Sequence, residues 1–96
     1  MDVLTIVTVN KNSGKSFIST ELNVVKCLKS TNDINWLIID AMSNDVSSER
    51  IKNIKKNYPN LPITILREKD NGIYNAMNKA ILKVQSKFIV FINSGD

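Results

Sequence analysis

The sequence predicts an α/β fold, a parallel sheet with helices on both faces, and three observations carry that prediction. Four short runs of β-branched and apolar residues alternate with three stretches of helical periodicity, in the order β-α-β-α-β-α-β. Each intervening stretch is long enough for the crossover helix that parallel neighbours require. The chain has 96 residues, 43% of them hydrophobic, so it builds one small domain with an ordinary core and is not disordered.

Residues 3–9 open the chain as a buried strand, Val3-Leu4-Thr5-Ile6-Val7-Thr8-Val9. Gly14 lies in the loop that follows, and Ser16 is placed to cap a helix reaching about Ser30, with Ile18, Leu22, Val25 and Leu28 at helical spacing. Residues 35–40, Asn-Trp-Leu-Ile-Ile-Asp, read as a second strand, with Trp36 as a packing residue. Met42-Ser43-Asn44-Asp45 is a polar turn. A second helix then runs to about Asn57 on the stripe Ile51, Ile54 and Tyr58, and Pro59 stops it. Pro62-Ile63-Thr64-Ile65-Leu66 reads as the third strand. Gly72 to about Val84 forms a third helix with Ile73, Met77, Ala80, Ile81 and Val84 on one face, and residues 87–92 form the fourth strand. Such connections are right-handed, and ligands bind outside the carboxyl ends of the strands.

Gly14-Lys15-Ser16 spells the end of a P-loop, but Val9 stands where the motif needs its first glycine, so the triplet reads as a turn. With no histidine, imidazole acid–base chemistry and His metal sites are excluded. A net charge of +4 and a pI near 9.3 suit an anionic ligand. The lysines are scattered, however, with Lys55-Lys56 the one adjacent basic pair, and no nucleic-acid partner is expected. Cys27 is the single cysteine, which suits a reducing compartment; its helical setting predicts a small buried or half-buried residue. The start of the chain carries no basic n-region, and no apolar run approaches the roughly 20 residues of a membrane span, so the expected location is cytoplasmic.

Polar and acidic residues gather just after the strands: Asn10, Lys11 and Asn12; Asp40 and Asp45; Arg67, Glu68 and Asp70; Asn93 and Asp96. Turn chemistry accounts for one or two of these. Acids near three successive strand ends repel unless a cation or donor relieves them, and a hard divalent cation held with substrate phosphates is the usual relief. The pattern therefore predicts an acidic, metal-competent crevice, open to either a nucleotide enzyme or a receiver-like doubly wound domain. The receiver-like reading wants paired acids after the first strand, where this chain has Asn10-Lys11-Asn12.

Four spellings narrow the choice. Asp70-Asn71-Gly72-Ile73-Tyr74-Asn75-Ala76-Met77-Asn78-Lys79-Ala80 resembles the D-x-G-I-Y-D-A-M-N-K-G stretch of family 2 glycosyltransferases, those that build bacterial surface polysaccharides above all. Ile6-Val7-Thr8-Val9-Asn10-Lys11-Asn12 resembles the family's opening strand and trailing Asn. Ile38-Ile39-Asp40-Ala41-Met42-Ser43-Asn44-Asp45 resembles V-D-G-x-S-x-D, and Phe91-Ile92-Asn93-Ser94-Gly95-Asp96 resembles F-L-N-S-G-D, a variant of the D-x-D metal motif. They occur in the family's order over nearly the whole chain.

The resemblance implies the Rossmann-like half of a GT-A domain, residues 1–96 being its N-terminal nucleotide-sugar-binding part and incomplete at the C-terminus. It implies a nucleotide-sugar donor, often a UDP-sugar, with Mn²⁺ or Mg²⁺, and inverting transfer to a saccharide or lipid-linked acceptor. Peripheral association of the full-length protein with the inner face of the membrane, and homo-oligomerisation, are compatible with it. Carried over by position, Asp40 faces the nucleotide base or ribose, and Thr8 and Asn12 line the same pocket. Asp45 either orients Asp40 and its neighbours or caps the helix that follows. Asp70 and Gly72 border the donor at a helix N-terminus. Asp96 reaches the metal, since Asn93 stands at the first acid of D-x-D and a neutral amide is a weak cation ligand. Tyr74 reads as partly buried core and Lys79 as a surface residue.

The chain departs from the family pattern at Asn75, Ala80, Ala41 and Met42, the last bulkier than the family's glycine and expected to narrow its loop. The general base that would remove the acceptor's hydroxyl proton is expected beyond Asp96. The 96 residues alone are expected to be catalytically silent.

Overall fold

The computed structural model describes residues 3–67, 69, 75, 78, 82 and 84–94. Its elements are β1 (Leu4–Asn10), α1 (Ser16–Ser30), β2 (Ile34–Asp40), α2 (Val46–Asn57), β3 (Ile63–Arg67) and β4 (Phe88–Phe91). The four strands form one sheet in the order β3-β2-β1-β4, and every pairing is parallel.

That order dictates where the helices go. The crossovers β1-α1-β2 and β2-α2-β3 step in the same direction across the sheet, so right-handedness puts α1 and α2 on one face. Residues of even number on β1 and β2 point to that face, joined by Ile63 and Ile65 of β3, because the register aligns Ile6 with Trp36 and Trp36 with Ile63. They pack with Phe17, Val24, Val25 and Leu28 of α1 and Ile51 and Ile54 of α2 into the main core. The step from β3 back past β1 to β4 reverses direction, and the odd-numbered residues of β1 and β2 point to the other face. Val7, Val9, Leu37 and Ile39 form a second cluster there, against which Val84 packs. The expected third helix falls largely outside the described residues; within it Asn75, Asn78 and Leu82 are helical. Tyr74 and Lys79 lie outside them too.

At the centre of the main core, Phe17 stacks on Trp36 with ring centroids 6.1 Å apart and planes 9° from parallel. Such a pair adds roughly 0.5–1.5 kcal/mol beyond the burial of its area. The Trp36 indole N–H donates to Thr8 Oγ1 at 2.9 Å, so both polar groups are satisfied without water. The expectation that Trp36 is a packing residue holds.

Three expectations for α1 need correction. The helix spans the anticipated residues, but its inward stripe is Phe17, Thr20, Glu21, Val24, Val25 and Leu28, while Leu22 is 56% exposed. The stripe rotates because Glu21 is fully buried, its carboxylate gripped by Arg50 of α2 through Nε at 3.0 Å and a terminal nitrogen at 2.8 Å. A polarity pattern places a glutamate outside, and here an interhelical ion pair brings it in. Nor does Ser16 cap the helix. Lys15 holds the cap position without a side-chain bond, and the backbone enters through Ser16 N–H to Ser13 O at 3.2 Å and Phe17 N–H to Gly14 O at 3.4 Å. Cys27, expected to be buried or half-buried, is exposed on α1.

Candidate functional site

The register places Asn10 beside Asp40 and Asp40 beside Arg67, so the last residues of β1, β2 and β3 make one polar row across the carboxyl edge of the sheet. The row ends at the boundary between β1 and β4. Chain order reverses there, with β2 and β3 to one side and β4 to the other. In open parallel sheets that reversal is where a crevice forms and ligands bind.

Asp40 is fully buried. Its Oδ1 accepts from Asn10 Nδ2 at 3.0 Å, and its Oδ2 accepts from the Ser43 N–H at 3.3 Å and lies 3.2 Å from Arg67 Nε. A terminal nitrogen of Arg67 also donates to the Ser43 carbonyl at 2.9 Å. The guanidinium thus covers the carboxylate and staples the loop after β2. The Arg67 side chain is one-third exposed, whereas that of Asp40 is almost wholly shielded. Asp40 was expected to face the nucleotide base or ribose; the structure places it buried at the carboxyl edge of the sheet, paired with Arg67.

Thr8 was expected to line the same pocket. It sits instead in the main core with no exposed surface, its hydroxyl accepting from Trp36, because even-numbered residues of β1 face α1 and α2. Asn12 is at the mouth, exposed, with φ of +45°, a left-handed conformation that asparagine tolerates. Its N–H donates to Ser43 Oγ at 2.9 Å and its Oδ1 accepts from the Asn44 N–H at 2.9 Å, joining the loops after β1 and β2. Met42 takes φ of +55°, in the left-handed region that favours glycine, and is 50% exposed, so its side chain remains half in solvent.

Asp45 does both things that its position allowed. It caps α2, with Oδ1 accepting from the Ser47 N–H at 3.0 Å and the Ser47 hydroxyl at 2.5 Å. Ser47 Oγ in turn accepts from Asn10, the neighbour of Asp40. The other carboxylate oxygen accepts the Gly14 N–H at 2.8 Å, where Gly14 has φ of +61°. The amide of the P-loop-like triplet is therefore occupied by an internal carboxylate, in keeping with its reading as a turn. The Ser47 hydroxyl bond is the main cause holding the Asp45 carboxyl below its usual range, with the Gly14, Ser48 and Ser47 amides adding to it against partial desolvation.

One strand-end residue that received no site role from the sequence is Asn10. It is fully buried and binds in five directions. Its Nδ2 lies 3.0 Å from Asp40 Oδ1 and 3.1 Å from both Ser43 Oγ and Ser47 Oγ. Its Oδ1 accepts from Ser13 Oγ at 2.5 Å and Ser94 Oγ at 2.7 Å. Arg67 and Ser43 were likewise not named as site residues. Only the general rule that strand ends line the crevice pointed toward them.

Asp70, Gly72 and Asp96 lie outside the described residues. Among the described residues no three acidic, cysteine or histidine side chains gather as a metal set. The oxygens of Asp40 are taken by an amide, a backbone N–H and a guanidinium, whose charge would also repel a cation, and those of Asp45 by Gly14 and Ser47. These two acids do not fit Mn²⁺ or Mg²⁺. A cavity around the β3 edge, lined by residues such as Thr5, Leu37, Lys55, Thr64 and Gln85, includes no member of the polar row.

The fold matches solved glycosyltransferases. A mannosyltransferase from Pyrobaculum calidifontis, solved with GDP-Man and Mn²⁺, superposes with a TM-score of 0.81 at 16% identity, over 96% of this chain and 27% of that one. S. aureus TarS, residues 1–349, superposes with a TM-score of 0.77 at 18% identity, over 98% of this chain and 28% of that one. The chain thus spans little more than a quarter of either. Comparison with curated proteins gives no significant match. The family model for glycosyl transferase family 2 matches residues 5–96, which takes in all but the first residue of β1, α1 and α2, β2 to β4 and the whole polar row. The chain belongs to glycosyl transferase family 2.

Proposed function

We propose that the chain forms the donor-binding part of a glycosyltransferase. Its reaction transfers a sugar from a nucleotide-sugar, a UDP-sugar in the first instance, to a saccharide or lipid-linked acceptor in surface-polysaccharide synthesis. The observation that carries this reading is the row Asn10–Asp40–Arg67 at the point where the chain order of the sheet reverses, in a chain of this family. A guanidinium held in place by a buried carboxylate presents directed donors to the carbonyl edge of a base, and such fixed geometry costs little reorganisation on binding. Asn12, at the mouth, Asp45, through Ser47, and Asp70 and Gly72 complete the proposed donor surface. The mannosyltransferase solved with GDP-Man and Mn²⁺ supports the class of donor and the use of a divalent cation. In this chain Asp96 is the residue proposed to meet that cation, which would offset charge on the leaving diphosphate when bound.

Inverting transfer needs a general base, such as an ionised carboxylate, to take the acceptor's hydroxyl proton. The proposed setting is cytoplasmic, with peripheral attachment at the inner face of the membrane and self-association both compatible. Among the described residues no helix is long and apolar enough to cross a membrane. Calorimetric titration of the chain with UDP and with GDP, with and without Mn²⁺, tests the reading. One nucleotide should bind, more tightly with Mn²⁺, and Asp40→Ala should weaken it. No binding of either nucleotide by the folded chain refutes the proposal.

A further inference from the structure

Asn10 occupies the place where the two halves of the proposed site meet. The β1–β4 ladder runs from Leu4 opposite Phe88 to Val7 opposite Phe91, closing with the Ile92 N–H to Val7 O bond at 2.9 Å. The pairing of β1 with β2 goes on for three more residues, to Asn10 opposite Asp40. Past Val7, therefore, β1 stays paired with β2 after its ladder with β4 has ended, at the place where open parallel sheets form their crevice. Ser94 lies three residues beyond Phe91, just as Asn10 lies three beyond Val7, and the Ser94 hydroxyl donates to Asn10 Oδ1 at 2.7 Å. On the same loop, Thr20 Oγ1 of α1 donates to Asn93 O at 3.4 Å.

The chemistry at this point needs a donor and an acceptor on one short side chain. The amide nitrogen faces Asp40, Ser43 and Ser47, which belong to the end of β2, its loop and the first turn of α2. The amide oxygen faces Ser13 and Ser94, in the loops before α1 and after β4. Aspartate would lose the donors and set a second carboxylate about 3 Å from Asp40. Alanine would leave the buried carboxylate and the hydroxyls short of partners.

We infer that Asn10 is a positioning residue that locks the loop after β4 to the Asp40–Arg67 pair, so that the two walls of the crevice hold a nucleotide as one unit. The inference rests on the donor-binding reading above. Asn10 touches no ligand itself; it sets the distance between the wall that meets the base and the wall that leads, in sequence, to Asp96.

The test separates the two sides of the amide. UDP and uridine are titrated, in the presence of Mn²⁺, into the wild-type chain and into Ser94→Ala, Asn10→Ala and Asn10→Asp, with thermal melts run alongside. Ser94→Ala cuts only the link to β4. It should leave the melting temperature within a few degrees and uridine affinity unchanged, and lower UDP affinity about fivefold, the loss expected for one hydrogen bond. Asn10→Ala and Asn10→Asp should lower affinity for both ligands, and Ser94→Ala should have no further effect on UDP in the Asn10→Ala background. A general loss of packing would not produce a diphosphate-specific loss in Ser94→Ala, nor its disappearance in that background. If Asn10→Ala does not fold, the UDP-to-uridine ratio in Ser94→Ala decides alone. Unchanged UDP affinity in folded Ser94→Ala overturns the inference while the donor reading stands. Failure of the wild-type chain to bind UDP, GDP or uridine overturns the donor reading, and this inference with it.

Discussion

Replacing Arg67 with methionine should cost this domain a large part of its stability, because it leaves Asp40 charged, buried and short of its counter-ion. The Nε to Oδ2 distance is 3.2 Å, and the two side chains are 33% and 1% exposed. With an effective dielectric constant of about 20, opposite charges at that distance attract by roughly 5 kcal/mol before desolvation. Removing one member of a buried pair costs about 3–5 kcal/mol. The partial exposure of Arg67 lowers that figure, and the bonds from Asn10 and the Ser43 N–H soften the loss further. We expect about 2–3 kcal/mol, or roughly 10–20 °C in melting temperature for a domain of this size. Urea unfolding followed by the fluorescence of Trp36, the single tryptophan and fully buried, gives the measurement. Adding Asp40→Asn to Arg67→Met removes the stranded charge and should recover about half of the loss. If Arg67→Met shifts stability by less than about 0.5 kcal/mol, or if Asp40→Asn makes it worse, the guanidinium is not what holds the buried carboxylate, and the argument fails.

Three further outcomes follow from the same geometry. Arg50→Met should destabilise by about 2–4 kcal/mol through the stranded Glu21, whereas Glu21→Leu with Arg50→Met should be close to neutral in the same denaturation assay. The folded-state pKa of Asp45 is lowered, so its contribution to stability is complete above the ordinary carboxylate range, near pH 4, and is lost as the pH falls through the lowered value. Thermal melts between about pH 2 and 6 should therefore fall less steeply for Asp45→Asn than for the wild-type chain. Met42→Gly should raise stability by up to about 1 kcal/mol, since φ of +55° strains a residue with a Cβ and the side chain is half exposed; a melting temperature that drops would refute this account of the loop.

The sequence by itself determined the elements and their order. Local signals suffice for this: β-branched runs for the strands, Pro59 after α2, glycine in the turn at Gly14, and alternation that calls for parallel crossovers. It also brought Asp40 to the carboxyl edge, because a strand's last residue lies at that edge whatever its neighbours are, and Asn12 to the loop just beyond the end of β1. The tertiary structure alone decided which side chains those residues meet. Arg67 reaches Asp40, Asn10 reaches Ser94 and Glu21 reaches Arg50 only once strand order and helix face are set. Thr8 went to the core and Glu21 turned inward for the same reason. A polar side chain can be buried when a partner from a distant segment satisfies it, and that partner is supplied by register across the sheet and packing between helices. Neither is written in the periodicity of any single element.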